Sequence, residues 1–128
     1  MATASPSEKT LYARVGGYDA IAAIVDEFIQ TFASDPQMAR FVSAMSLESR
    51  KRNRQLTLDY LSAKSGGPTL YLGRDMKTAH EGLGISESEW NVAMDHVQRA
   101  LVKFKVPEGE SKEFLALFSV LKGQIVER

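Results

Sequence analysis

Apolar residues recur along this chain at helical intervals, not in alternation. Ile21, Ile24, Val25, Phe28, Ile29 and Phe32 fall at successive steps of three and four, which puts them on one buried stripe of a single helix. Asp35-Pro36 reads as the start of another helix, with the acid as N-cap and the proline at the first helical position. Met38, Phe41 and Val42 follow before that pattern ends, so the helix should be short. Ser46 is placed to cap a longer one running to about Ala63, which Ser65-Gly66-Gly67-Pro68 terminates. Ser86-Glu87-Ser88-Glu89 has the form of a capping box, and the helix behind it carries Trp90, Ala93, Met94, Val97, Ala100, Leu101 and Phe104 on one face. Pro107 punctuates, and a last helix presents Phe114, Leu117, Phe118, Leu121 and Ile125. No alternating run of strand length competes and no internal repeat is visible. The pattern predicts an all-α fold of four main helices with short extras.

A four-helix bundle is the simplest arrangement of such helices, but the span from Ser65 to Ser86 is long for a bundle connection. Spans of that kind usually serve a site. Within it, Arg74 to Gly82 can form about two helical turns, ended by Gly82 and Gly84. His80, one of only two histidines in the chain, sits there four residues after Met76 and so on the same face. An imidazole on a short helix beside a soft apolar side chain suits an axial ligand of haem iron. It equally suits a surface histidine on a solvated turn, and spacing alone leaves both readings open. The second histidine, His96, lies at the edge of the Ala93–Val97 stripe and reads as a packed structural residue.

Composition narrows the field. With 128 residues the chain fits one domain with a real core. Residues 1–9 open with small and polar types and are expected to be flexible, leaving residues 10–128 as the folded domain. Sixteen basic and sixteen acidic residues cancel, which argues against nucleic acid or an anionic membrane as the main partner. The chain has no cysteine, so disulfides, thiolate catalysis and cysteine-based metal sites are excluded. No apolar run approaches a membrane span and no basic-then-apolar leader opens the sequence, so a cytoplasmic location is expected.

Several motifs then appear in a specific order. Leu11-Tyr12-Ala13-Arg14-Val15-Gly16-Gly17 precedes Asp26-Glu27-Phe28 and Asp35-Pro36; Ser65-Gly66-Gly67-Pro68, Tyr71 and Gly73-Arg74-Asp75-Met76 lead into Ala79-His80-Glu81-Gly82-Leu83-Gly84-Ile85. In this order, without obvious gaps from about Leu11 to Val126, the chain resembles the truncated haemoglobins of group one. The resemblance implies a two-over-two helical sandwich enclosing haem b, with His80 as the proximal ligand of the iron. It makes Met76, Tyr60, Leu56, Phe41, Val42 and Trp90 residues of the haem pocket, and Tyr71 and Arg74 candidates to meet the propionates. On the distal side it places Ile29, Asn53 and Thr57 around a diatomic ligand such as oxygen, nitric oxide or carbon monoxide. Asn53, Thr57 and Tyr60 also share one face of their predicted helix, at steps of four and three.

Two departures from the family pattern matter. The family places a Tyr directly after the Phe of its second helix, as a donor to the bound ligand; this chain has Phe28-Ile29. The family's Phe-Phe pair at the end of the short third helix is here Phe41-Val42. Either the pocket is poor in donors, or Thr57, Asn53 or Tyr60 replaces the tyrosine. The basic run Arg50-Lys51-Arg52-Asn53-Arg54 reads first as a solvated face, with Arg50 or Arg54 as alternative propionate partners. The function implied is reversible binding of a diatomic gas by a monomer. The rival readings are nitric oxide dioxygenation or weak peroxidase chemistry fed by a separate reductase, and a haem-free interaction module.

Overall fold

The structure is a computed structural model and describes residues 9–128. The expectation of a flexible segment over residues 1–9 therefore lies, but for Lys9, outside the described residues. The described residues form eight helices: α1 (Leu11–Val15), α2 (Gly17–Ser34), α3 (Arg40–Ser43), α4 (Leu47–Lys64), α5 (Met76–His80), α6 (Glu87–Lys103), α7 (Glu108–Ser119) and α8 (Lys122–Ile125). The four long ones, α2, α4, α6 and α7, are the four main helices expected, and the all-α class holds. No helix among them is long and apolar enough to cross a membrane.

Helix α2 is the hub, packing on α4 and on α6, while α6 also packs on α7. Its expected stripe supplies the centre of the core: Ile21, Ile24 and Val25 are at most 2% exposed and meet Leu58, Leu61, Val97, Leu101 and Phe114 from the other three long helices. Burying each such side chain contributes about 1.5–3 kcal/mol, which outweighs the polar character of α4 in fixing that helix against the core. Short α1 lies across α2 and α7. Its placement depends on the turn after α4, where the Tyr12 amide donates to the Ser65 carbonyl at 2.8 Å. Gly67 makes that approach possible: a Cβ there would come within 2.5 Å of the Tyr12 ring.

Helix boundaries depart from the sequence reading in four places. Asp35-Pro36 does not open a helix; α3 begins at Arg40, and residues 36–39 form turns. The Asp35 carboxylate does bond the Gln37 amide, at 2.9 Å, but its other oxygen is taken by His96 at 2.8 Å, so it ties the exit of α2 to α6. The His80 helix is one turn shorter than expected: Asp75 caps it through the Thr78 amide, and it ends at His80. The last helix is broken near Val120 into α7 and α8. Phe104, expected on the buried face of α6, is the C-cap of that helix and is 43% exposed. The expected capping box at Ser86 and Glu89 and the cap at Ser46 are both present.

Candidate functional site

His80 closes α5, and the helix that carries it also sets the state of its ring. Nδ1 lies 2.8 Å from the carbonyl oxygen of Met76, one turn earlier. A carbonyl only accepts, so Nδ1 carries a proton and donates, and Nε2 is the nitrogen left to ligate. Ligating imidazoles are commonly oriented by this kind of second hydrogen bond. The half-buried ring sits on a helix whose neighbour is α8.

Around this helix a second apolar cluster forms on Trp90, Leu121 and Ile125, with Tyr60, Met76, Ile85 and Met94 packed on it. Three residues expected at the pocket, Tyr60, Met76 and Trp90, are thus brought together from α4, α5 and α6. Tyr60 also borders the main core, so it stands where the two clusters meet. The edge of Tyr71 rests on the Tyr60 ring, with centroids 5.1 Å apart and planes at 87°. Its hydroxyl donates to the carbonyl of Arg74, whose side chain is exposed. Burial pushes both phenols above their ordinary range, so both keep their protons at neutral pH.

The remaining residues expected at the pocket lie on α2, α3 and α4. Phe32 stacks between Phe28 and Phe41, with centroid distances of 5.3 and 6.2 Å. Ile29 is half-buried against the main core, and Val42 and Leu56 are also half-buried. Thr57 lines a small cavity of about 20 Å³ with Ile24, Val25, Phe28, Leu61 and Val97, and is the one polar side chain of that lining. Such a volume holds about one water-sized molecule. Asn53 is exposed, and its amide nitrogen lies 2.9 Å from the Met45 sulfur. In the basic run, Arg54 spends its fork on Asp26 at 2.6 and 3.0 Å, and that guanidinium holds the Asp26 carboxyl below the usual carboxylate range. Arg50 is exposed.

His96 is buried and edge-on to Phe32, as expected of a packed residue. Its hydrogen bond to Asp35 holds that carboxyl below its usual range. Sequence reasoning did not single out the residues that fix the loop after His80. Glu89 was read only as a local cap, yet its carboxylate also receives the Arg40 guanidinium at 3.0 Å. Glu127 accepts from the amides of Gly82 and Gly84 at 3.1 and 2.8 Å, which holds its carboxyl low. A lone Arg and a lone Glu carry no spacing signal that would have paired them with a loop 43 to 45 residues away.

The sequence model of the family described as "Bacterial-like globin" matches residues 10–127. The chain belongs to that globin family. This globin is 28% identical over 116 residues to the group 1 truncated hemoglobin GlbN of Mycolicibacterium paratuberculosis, covering 91% of this chain and 83% of that one. It is 27% identical over 119 residues to the corresponding protein of Nostoc commune, covering 93% and 98%. Among solved structures it superposes on truncated hemoglobin from Tetrahymena pyriformis with a TM-score of 0.85 at 20% identity, covering 94% of this chain and 100% of that one. The hemoglobin of Chloroflexus aurantiacus gives a TM-score of 0.81 at 25% identity, covering 94% and 100%. The architecture is therefore the two-over-two globin fold expected from the motifs, and membership of this family implies haem as cofactor and a diatomic ligand. The donor set fits that group: one imidazole whose Nδ1 is engaged by a carbonyl and whose Nε2 is left to ligate, beside Met76 and the cluster of Trp90 and Tyr60.

Proposed function

We propose that this globin binds haem b through Nε2 of His80 and holds oxygen or another diatomic gas on the opposite face. The observation that carries the reading is the hydrogen bond from His80 Nδ1 to the Met76 carbonyl, which fixes the ligating tautomer before any metal arrives. Haem, when bound, supplies an iron whose free face takes a diatomic ligand.

The chain's own residues then divide the work. Met76, Trp90 and Tyr60 give the macrocycle an apolar bed, and Phe41, Val42 and Leu56 close the other side. Excluding water in this way disfavours oxidation of the metal. Thr57, and Asn53 once it leaves Met45, are the donors available to a bound ligand, because Ile29 offers none. Tyr71 and Arg74, in the α4–α5 loop, are the residues that would meet the propionates. The protein acts as a cytoplasmic monomer. The 2/2 hemoglobin of Synechococcus sp. PCC 7002, solved in the cyanomet state with covalently attached heme, shares this fold at a TM-score of 0.82 and 20% identity, covering 94% of this chain and 100% of that one.

Titration of the purified protein with hemin, followed by visible absorption spectra, tests this reading. The expected result is stoichiometric uptake, a five-coordinate ferrous form and a ferrous form that takes carbon monoxide. Absence of saturable uptake overturns it and returns the protein to a haem-free interaction module.

A further inference from the structure

The loop that follows His80 is held from three directions, all by charged side chains. The Glu127 carboxylate, beyond α8, receives the amide of Gly82 on one oxygen at 3.1 Å and that of Gly84 on the other at 2.8 Å. Arg128 donates from Nε to the Gly84 carbonyl at 2.9 Å. Arg40, at the start of α3, donates to the carbonyls of Leu83 and Gly84 at 3.3 and 3.4 Å. The same guanidinium forks onto Glu89, which is 7% exposed and whose carboxylate also accepts from the Ser86 amide at 3.0 Å. It lies 3.9 Å from the centroid of the Phe41 ring as well. One arginine therefore joins the corner bearing Phe41 to the loop that leaves His80.

We propose that Glu127 and Arg40 are positioning residues for the proximal histidine: the carboxylate clamp fixes where α5 ends, and the arginine makes the Phe41 corner and that loop move as one body. This rests on the reading of His80 as the haem ligand. Helix α5 has five residues, too few to hold its own direction in water. Its N-terminal end is secured by the Asp75 cap; beyond its C-terminal end the Leu83 amide bonds the His80 carbonyl and the Glu127 amide bonds the Ile85 carbonyl, and the side-chain clamp is what holds Gly82 and Gly84 between them. Each bond is charge-assisted, roughly twice as strong as a neutral one, and the two Glu127 bonds act on amides two residues apart. Loosening them frees the His80 ring to tilt while leaving the Met76 carbonyl, and hence the tautomer, in place.

The test compares Glu127→Ala, Glu127→Gln and Arg40→Met in the haem-loaded protein. Glu113→Gln serves as a control, since it removes the Arg14–Glu113 ion pair elsewhere on the surface. The readouts are the iron–histidine stretching band of the ferrous form by resonance Raman and haem transfer to excess apomyoglobin. Amide hydrogen exchange at Gly82 and Gly84 is followed in parallel. We expect the band to shift or broaden in Glu127→Ala and Arg40→Met, with haem transfer accelerated roughly tenfold and faster exchange at both glycines. Glu127→Gln, which keeps one acceptor, should lie between, and the control should match the wild type. A wild-type band and transfer rate in both Glu127 variants would overturn the proposal, even if their melting temperature falls. Should Glu127→Ala fail to fold, Glu127→Gln and Arg40→Met decide by the same band. If the wild-type protein takes up no haem, it is the assignment of His80 that has failed.

Discussion

Ile29 offers nothing to a bound diatomic, whereas a tyrosine in its place would offer a phenol O–H. A hydrogen bond contributes about 0.5–1.5 kcal/mol net, more to a charged acceptor, and about 1.4 kcal/mol is a factor of ten. Ile29→Tyr should therefore slow oxygen release by about tenfold or more, and carbon monoxide, less polar when bound, should respond much less. Thr57→Val and Asn53→Leu show whether a substitute donor exists. If Ile29→Tyr leaves oxygen release unchanged while Thr57→Val raises it sharply, the donor-poor account fails and Thr57 has taken the role. At this scale the sequence was legible where a residue type is rare. With two histidines in the chain, His80 stood out beside Met76. What orients its ring is a backbone carbonyl, that of Met76, which no pattern of side chains reveals. Asp35 was misread as a helix start because its partner, His96, lies 61 residues away.

Elements were legible wherever their signal is local. The Ser86 box needs only four neighbouring residues, and both of its bonds form. Ser86→Ala should cost about 0.5–2 kcal/mol and lower the melting temperature by several degrees in a thermal scan. An unchanged melting temperature would mean the N-terminus of α6 is held by the Arg40–Glu89 pair instead. The glycines before the His80 segment were read as turn signals, but the reason for Gly67 is an approach to Tyr12 of α1, more than fifty positions earlier. Gly67→Ala places a methyl within 2.5 Å of that ring and 2.9 Å of the Ser62 carbonyl. Overpacking of this kind costs about 1–3 kcal/mol, and denaturant unfolding should show it. A neutral Gly67→Ala would contradict the packing of α1 on the α4 turn. Helix ends set by tertiary contact, such as the late start of α3 and the break at Val120, carried no comparable local signal.

For the whole molecule, the acid limb of stability follows from the carboxylates that the fold holds low. Arg54 lowers Asp26, His96 lowers Asp35, the Ser86 amide lowers Glu89, Arg14 lowers Glu113, and the Gly82 and Gly84 amides lower Glu127. A carboxyl whose folded pKa is depressed binds fewer protons folded than unfolded. Its contribution is full above the unfolded value and disappears as pH falls through the folded one. Unfolding free energy should therefore decline from about pH 5 downward, and Asp35→Asn or Glu127→Gln should flatten that decline. A stability that stays level to pH 3 would contradict these pairings. The candidate site was only partly legible, because its apolar cluster is assembled from α4, α5, α6 and the C-terminal helices and the bonds on its loop come from residues far apart in sequence. The claim on which the rest depends is ligation by His80, and His80→Gly with and without added imidazole tests it most directly. The account predicts that the variant loses the ferrous five-coordinate spectrum and stable haem retention, and that free imidazole restores the spectrum. A variant that keeps the wild-type spectrum and holds haem as firmly as before would contradict it.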